Sequence, residues 1–274
     1  MAGTIERIER DLAALGEANS ALAAELRSTY SSYLTSLGQT VHRAVILASY
    51  HICTQGYAEC FLKLSLRERQ QLQKALLKVA RQAQEQLLSY LATPTSEPGA
   101  AETAGQEWDR AAPSFAPTGD VPATELTNPE QLGQWQENTE QGINHTLQTL
   151  SRDGNRLLAQ AGILPNQVPE AILEAALKAE SPGEAVAGAP NILNLLIETE
   201  KSQTTGIPSV THVMALHLRL TEIEFGDATV MAGRQQIRHL SSRLNTLRRE
   251  YQKKQRERII SEAQSAWRTS WVDE

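Results

Sequence analysis

The chain is poor in the residues that mark several common classes of protein. Among its 274 residues there are only two cysteines, and aromatic residues make up 5%. Two cysteines cannot form a disulfide framework, and they indicate a reducing compartment. No apolar run approaches the roughly 20 residues that span a bilayer, and the first thirty residues lack the apolar core of a secretory signal. We therefore expect a cytoplasmic protein without a transmembrane segment.

The sequence also lacks the short motifs of common catalytic sites. It contains no glycine-rich phosphate loop, no Gly-x-Ser-x-Gly elbow and no His-Glu-x-x-His motif. His51, Cys53 and Cys60 are the only candidate metal or thiol cluster, but their spacing matches no recurrent zinc pattern. On one continuous helix the two cysteines would lie about 10 Å apart along the axis, too far for a disulfide. A break at Gly56 would relieve this, so metal, redox and nucleophilic roles stay open, but we predict core cysteines, no cofactor and no enzyme.

What the chain does contain favours helix. Ala, Leu, Gln, Glu and Arg dominate, while β-branched and aromatic residues are sparse. We predict an all-α fold, a helical bundle with long, coiled-coil-like terminal helices and a disordered central linker. The predicted domains are an N-terminal helical segment (1–92), an acidic proline-rich linker (93–128) and a C-terminal helical region (129–274) that ends in a long basic helix.

The first helix carries apolar residues at alternating spacings of three and four, the pattern of a coiled-coil seam. Asn19 occupies an a-type position, where a polar residue fixes register and oligomer number. We predict that this seam either forms a homo-oligomer or pairs with the other terminal helix. The residues predicted to take part are Ile8, Leu12, Leu15, Asn19, Leu22 and Leu26.

Local signals divide the chain further along. Ser65 and Glu68 have the Ser-x-x-Glu form of a capping box, which predicts the start of a second helix. Six of the eleven prolines lie in residues 93–130, where apolar content is too low to offset the entropy of ordering. Trp108 and Phe115 in this linker are either incidental or a short docking motif.

Two later segments have less distinctive patterns. Residues 192–197 follow a proline and are predicted as a short helix. Residues 213–225 include an alternation that is typical of a strand, yet their apolar residues also fit one face of a helix. We predict a helix there, because no partner strand is evident elsewhere and a lone strand is not stable.

The net charge of −6 hides a strongly basic segment. Residues 234–258 hold nine Lys and Arg against two Glu, a local charge of +7, so the rest of the chain carries −13. Three interpretations stay open. The charges can complement an acidic neighbour such as the first helix, contact the phosphates of a nucleic acid, or attach the chain to an anionic membrane or acidic protein.

Two tryptophans extend the basic helix. Trp267 and Trp271 are four residues apart and would share one helical face, either packed on the body or exposed to a protein or lipid headgroups. The leading hypothesis is a non-enzymatic scaffold or adaptor that binds an acidic protein, and the alternative is a binder of nucleic acid or membrane lipid. The residues predicted to bind are Arg238, Arg248, Arg249, Lys253, Lys254, Arg256, Trp267 and Trp271.

Three blocks of sequence carry a resemblance. One runs from Ser49 to Gln55 and on through Phe61–Ser65 and Arg69–Gln73, the second is Leu220–Phe225, and the third is Tyr251–Arg258. Together they resemble a conserved helical protein family of cyanobacteria that has no assigned activity. The resemblance covers most of the chain outside the linker. It implies a bacterial, cytoplasmic setting and no particular mechanism.

Overall fold

A computed structural model describes residues 2–91, 128–164, 189–199 and 209–270. This part of the chain holds six α-helices and one two-stranded ribbon, and the predicted all-α class is confirmed. The helices are α1 (Ala2–His51), α2 (Ala58–Lys63), α3 (Leu66–Ser89), α4 (Pro129–Gln160), α5 (Leu220–Gly226) and α6 (Ala228–Ser270). The strands are β1 (Ile192–Thr199) and β2 (Ser209–Leu216), and a π-helical turn, Ile52–Gly56, follows α1. Residues 93–127 of the predicted linker, with Trp108 and Phe115, lie outside the described residues.

The starts of two helices follow from local capping. At α3, Ser65 Oγ accepts the N–H of Glu68 at 3.3 Å, and the Ser65 N–H donates to Glu68 Oε2 at 2.7 Å. The predicted capping box is therefore confirmed. At α4, Asn128 Oδ1 accepts the N–H of Glu130 at 2.9 Å. Within the described residues, every helix is too short or too polar to cross a bilayer.

The prediction of helices at 192–197 and at the start of 213–225 is wrong. β1 and β2 pair in antiparallel register, from Ile192 opposite Leu216 to Thr199 opposite Ser209. Each segment is the partner strand that the other needs, and the alternation in β2 buries Val213 and Ala215 while His212 is exposed. From Leu220 onward the chain is helical, as predicted.

Packing groups the described residues into two compact units that do not follow sequence order. The first unit contains α1 up to Glu25, α4 up to Asn138, and α6 from Leu240. The second unit contains the remaining described residues. Each unit contains residues that precede the predicted linker and residues that follow it. The predicted domain boundaries at residues 92 and 128 stay a prediction.

In the first unit, α6 runs antiparallel to both α1 and α4. Arg243 Nη1 lies 2.8 Å from Glu25 Oε2, and Lys254 Nζ lies 3.0 Å from Asp11 Oδ2. On the α4 side, Glu130 Oε1 accepts from Arg248 Nε at 3.3 Å and also pairs with Gln252. The apolar core of this unit includes Ile8, Leu22, Leu132, Trp135, Leu240 and Leu244.

The predicted seam of α1 faces inward within a single chain. Ile8, Asn19, Leu22 and Leu26 are buried, while Leu12 and Leu15 are half-buried. Because α6 supplies ion-pair partners along this stretch, the two terminal helices pair within the chain. Formation of a homo-oligomer stays a prediction.

In the second unit, the residue that ends α3 packs directly on a glycine of α4. A Cβ at Gly142 would lie 2.7 Å from ring atoms of Tyr90, so a larger residue there would have to displace the Tyr90 ring. The Tyr90 hydroxyl reaches past this contact to Thr146 Oγ1 at 3.2 Å. The core of the unit includes Tyr30, Tyr33, Leu37, Ile52, Leu87, Ile143, Leu147 and Leu158.

Candidate functional site

The basic residues of 234–258 all lie on α6, and several of them are paired within the chain. Arg243, Arg248 and Lys254 reach carboxylates of α1 and α4, as described above. Lys254 donates to Asp11 and also to Glu257 at 3.1 Å, and these hydrogen bonds raise the pKa of Lys254 above its ordinary value. The interpretation that the basic helix complements an acidic neighbour therefore holds for these residues: the neighbour is α1 for Arg243 and Lys254 and α4 for Arg248.

The opposite side of α6 has a different character. Arg249, Lys253, Arg256, Ile260 and Trp267 fall within about 60° of one another around the helix, since each residue turns it by about 100°. We call these five residues the α6 outer face. Along the axis the face extends for about 27 Å, from the first cation to the tryptophan.

The α6 outer face is exposed. Ile260 keeps 48% and Trp267 65% of its surface accessible, and the three cations are exposed as well. Among the described residues, no carboxylate forms an ion pair with Arg249, Lys253 or Arg256. This side of the helix therefore presents three uncompensated positive charges followed by large apolar side chains.

The eight residues predicted to bind a partner divide into three groups. Arg248 and Lys254 are engaged by α4 and α1. Exposed positions are taken by Arg238, Arg249, Lys253, Arg256 and Trp267. Trp271 lies outside the described residues.

The second unit contains a buried polar cluster that sequence reasoning missed. Arg234 Nε donates to Glu224 Oε1 at 2.5 Å, Nη1 to Glu140 Oε1 at 2.6 Å, and Nη2 to the Tyr33 hydroxyl at 2.7 Å. Tyr33 donates to Glu224 Oε1 and Tyr30 to Glu140 Oε1, each at 2.6 Å. The signal for it in the sequence was the placement of two tyrosines on the apolar side of α1.

Burial fixes the protonation of this cluster. Desolvation raises the pKa of the Tyr33 phenol well above 10, against the opposing effect of the Arg234 charge. For Arg234, desolvation by itself lowers the pKa, but the hydrogen bonds to Glu140 and Glu224 outweigh it and the pKa is raised. The phenol therefore stays neutral and the guanidinium charged. The Tyr33 hydroxyl and the Arg234 guanidinium donate their hydrogen bonds to side chains of the second unit. The cluster therefore serves to hold α1, α4, α5 and α6 together.

Comparison with known proteins adds no relative: no family model, curated protein or solved structure matches the chain. The resemblance to a helical family of cyanobacteria stays a prediction.

The candidate thiol cluster is spread over α1, the π-helical turn and α2. Both cysteines are free, Cys53 being buried at 5% exposure and Cys60 half-buried. Burial raises the pKa of the Cys53 thiol to about 11, so it is protonated at neutral pH. A buried, neutral thiol is a poor nucleophile and a poor metal ligand. The prediction of a core cysteine is thus confirmed for Cys53.

Proposed function

We propose that the chain is a non-enzymatic scaffold or adaptor that binds an acidic protein partner through the α6 outer face. The observation that carries this proposal is the succession of three unpaired cations and exposed apolar residues on one side of the helix. Tryptophan and arginine are enriched among the residues that dominate binding energy at protein interfaces. The matching partner surface carries carboxylates beside an apolar patch.

The arrangement along the helix favours a protein over a membrane. A helix that lies in a membrane interface separates its apolar and cationic residues around the axis, so that one face enters the lipid. On α6 the cations and the apolar residues share one face and follow one another along the axis. A partner of defined shape, with its acidic and apolar groups in the same order, fits this succession better than a uniform surface.

The chain offers a matched control for the three cations. Lys74, Lys78 and Arg81 on α3 have the same spacing as Arg249, Lys253 and Arg256, and they too are exposed. The α3 series continues on the same face into Glu85, whereas the α6 series continues into Ile260 and Trp267. Reversing these three charges on α3 therefore changes the net charge as much as reversing those on α6, without touching the proposed site.

Affinity capture with reversed charges tests the proposal. One variant carries Arg249→Glu, Lys253→Glu and Arg256→Glu, and the control carries Lys74→Glu, Lys78→Glu and Arg81→Glu. Proteins captured by the wild-type chain are identified by mass spectrometry, purified, and titrated against all three chains. We expect the α6 variant to lose about tenfold or more in affinity and the α3 control to match the wild type. The affinity of the wild type should also fall as salt rises.

Two further probes decide between this proposal and its alternative. Vesicles containing phosphatidylserine and a short DNA duplex are titrated with the same three chains. Suppose that no protein is captured, and that the wild type and the α3 control bind the vesicles or the DNA while the α6 variant does not. The alternative, a protein that binds an anionic surface, would then replace the proposal. If the α6 variant binds the captured protein at full affinity, the proposal is overturned. If it also binds the vesicles and the DNA as the wild type does, the alternative is overturned as well.

A further inference from the structure

The second unit contains a cavity of about 490 Å³ between the end of α1, the π-helical turn and the first half of α3. Its walls are mainly apolar and include Ile46, Phe61, Leu72, Leu76 and Leu77. Sites that bind small molecules typically measure roughly 300–1,000 Å³ and have mostly apolar walls. In size and composition, the cavity therefore resembles such sites.

The polar groups at the cavity indicate a neutral ligand. No Asp, Glu, Lys, Arg or His is found among the described residues that line it. Burial keeps the thiol of Cys53, which also lines it, neutral at physiological pH. A charged ligand would enter without a counter-ion, which is costly in an apolar site.

One polar side chain at the cavity lacks a partner. Ser49 lines the wall at 7% exposure, and its Oγ makes no hydrogen bond within the described part of the chain. Buried hydroxyls are normally paired, and an unpaired one costs stability. The Oγ itself is inaccessible in this rotamer, so pairing with a ligand requires a different χ1 rotamer of Ser49. A ligand atom that donates or accepts a hydrogen bond would satisfy it.

The π-helical turn builds one wall of the cavity and is held in place from behind. Cys53 and Thr54 of this turn line the cavity. On the other side, a Cβ at Gly56 would lie 2.8 Å from Met214 Sδ, so a larger residue there would have to displace the Met214 side chain of β2. Next in the chain, the Tyr57 hydroxyl accepts the N–H of Met214 at 2.9 Å. Turns of π-helix are frequent at functional sites, and these two contacts hold this one against β2.

We propose that this cavity binds a neutral, largely apolar small molecule that has one hydrogen-bonding group, placed against Ser49. This proposal does not rest on the function proposed for the α6 outer face. Its ligand class is set by the apolar walls, the absence of charge among the described lining residues, and the unpaired hydroxyl.

Two rigid probes test the ligand class. Naphthalene and 2-naphthol have the same ring system, and only the second carries a hydroxyl. We expect the full-length chain to bind both saturably, with 2-naphthol favoured by about tenfold because it pairs with Ser49. In Ser49→Ala this preference should vanish while the affinity for naphthalene is unchanged. Calorimetry measures the affinities, and amide chemical shifts near α1 and α3 locate the probe.

A pair of neighbouring residues tests the location. Ile46 and Leu47 have nearly equal exposure, 47% and 48%, but only Ile46 lines the cavity. Ile46→Trp should fill the entrance and lower the affinity for both probes about tenfold or more, whereas Leu47→Trp should bind as the wild type does. Circular dichroism establishes that each variant is folded, and Leu77→Trp replaces Ile46→Trp if the latter is not. The proposal is overturned if the wild type binds neither probe, or if the folded blocking variant binds both as tightly as the wild type.

Discussion

The side chain of Asn155 pairs with both backbone polar atoms of Leu216. Its Nδ2 donates to the Leu216 carbonyl at 2.9 Å, and its Oδ1 accepts the Leu216 N–H at 2.7 Å. One helical turn earlier on α4, Ser151 Oγ accepts the N–H of Leu218 at 2.9 Å. A two-stranded ribbon is marginal by itself, so α4 supplies at the end of β2 the hydrogen bonds that a third strand would give.

Replacing Asn155 should therefore destabilise the fold. Asn155→Leu leaves a buried N–H and a buried carbonyl without partners, and we expect a loss of about 2–4 kcal/mol in the free energy of unfolding. Urea denaturation measures it. Asn245→Leu, at an exposed position on α6, is the control and should differ little from the wild type. Equal stability of the two variants would show that the pairing with Leu216 contributes nothing.

The buried cluster around Arg234 gives a second prediction. Arg234→Met leaves Glu224, which is 8% exposed, and Glu140 without their cation, so we expect a loss of about 3–5 kcal/mol. Adding Glu224→Gln to this variant removes one of the stranded charges and should restore part of the stability. Thermal and urea unfolding of the single and double variants measure both effects. A double variant less stable than Arg234→Met would contradict the assignment.

Structural features that depend on residues close together in the sequence could be predicted. The two-stranded ribbon, which pairs two separate segments of the chain, could not. The capping box of α3 needs only Ser65 and Glu68, and the sequence shows both. In contrast, residues 192–197 form too short an apolar run to distinguish helix from strand, and their strand conformation depends on pairing with 209–216. Mistaking the first segment for a helix removed the partner of the second, so one error produced the other.

The candidate site on α6 could also be predicted only in part. The excess of cations on the last helix is visible in the sequence, and their spacing places Arg249, Lys253 and Arg256 on one face. Which cations are compensated is not visible, because Lys254 meets Asp11 from the other end of the chain. Only the packing of α1 and α4 against α6 separates the cations that have an ion-pair partner from those that have none.

Asp227, at the start of α6, should contribute a pH-dependent part of the stability. Burial by itself raises its pKa, but hydrogen bonds from Thr40 and from backbone amides, with the charge of Arg43, outweigh it and lower the pKa below the ordinary 3.8. Since the folded pKa is below the unfolded one, the stabilisation is complete above the unfolded value and is lost as the pH falls through the folded value. The difference in unfolding free energy between the wild type and Asp227→Asn should therefore shrink below about pH 4. A difference that is constant across this range would contradict the prediction; Asp153→Asn on α4 is the control.

The two cysteines should differ in reactivity. Burial raises the pKa of Cys53 to about 11, so little thiolate is present at neutral pH. Alkylation of Cys53 by iodoacetamide should therefore become faster as the pH rises to about 11. Unfolding exposes the thiol and returns its pKa to the ordinary 9.0, so the free energy of unfolding should fall as the pH rises from 9.0 to about 11. The single-cysteine variants Cys53→Ser and Cys60→Ser allow each rate to be measured alone. Equal rates for the two cysteines at neutral pH would show that burial does not protect Cys53.

One substitution in each terminal helix should distinguish a residue needed for folding from one needed for binding. Leu26 is fully buried, so Leu26→Ala should lower the free energy of unfolding by about 2–5 kcal/mol. Trp267 is 65% exposed, so Trp267→Ala should change stability by only about 0.5 kcal/mol yet weaken capture of the acidic partner. Urea unfolding and the capture assay, run on both variants, give the comparison. If Trp267→Ala unfolds as easily as Leu26→Ala, the tryptophan belongs to the core, and the α6 outer face loses the apolar anchor on which its proposed function depends.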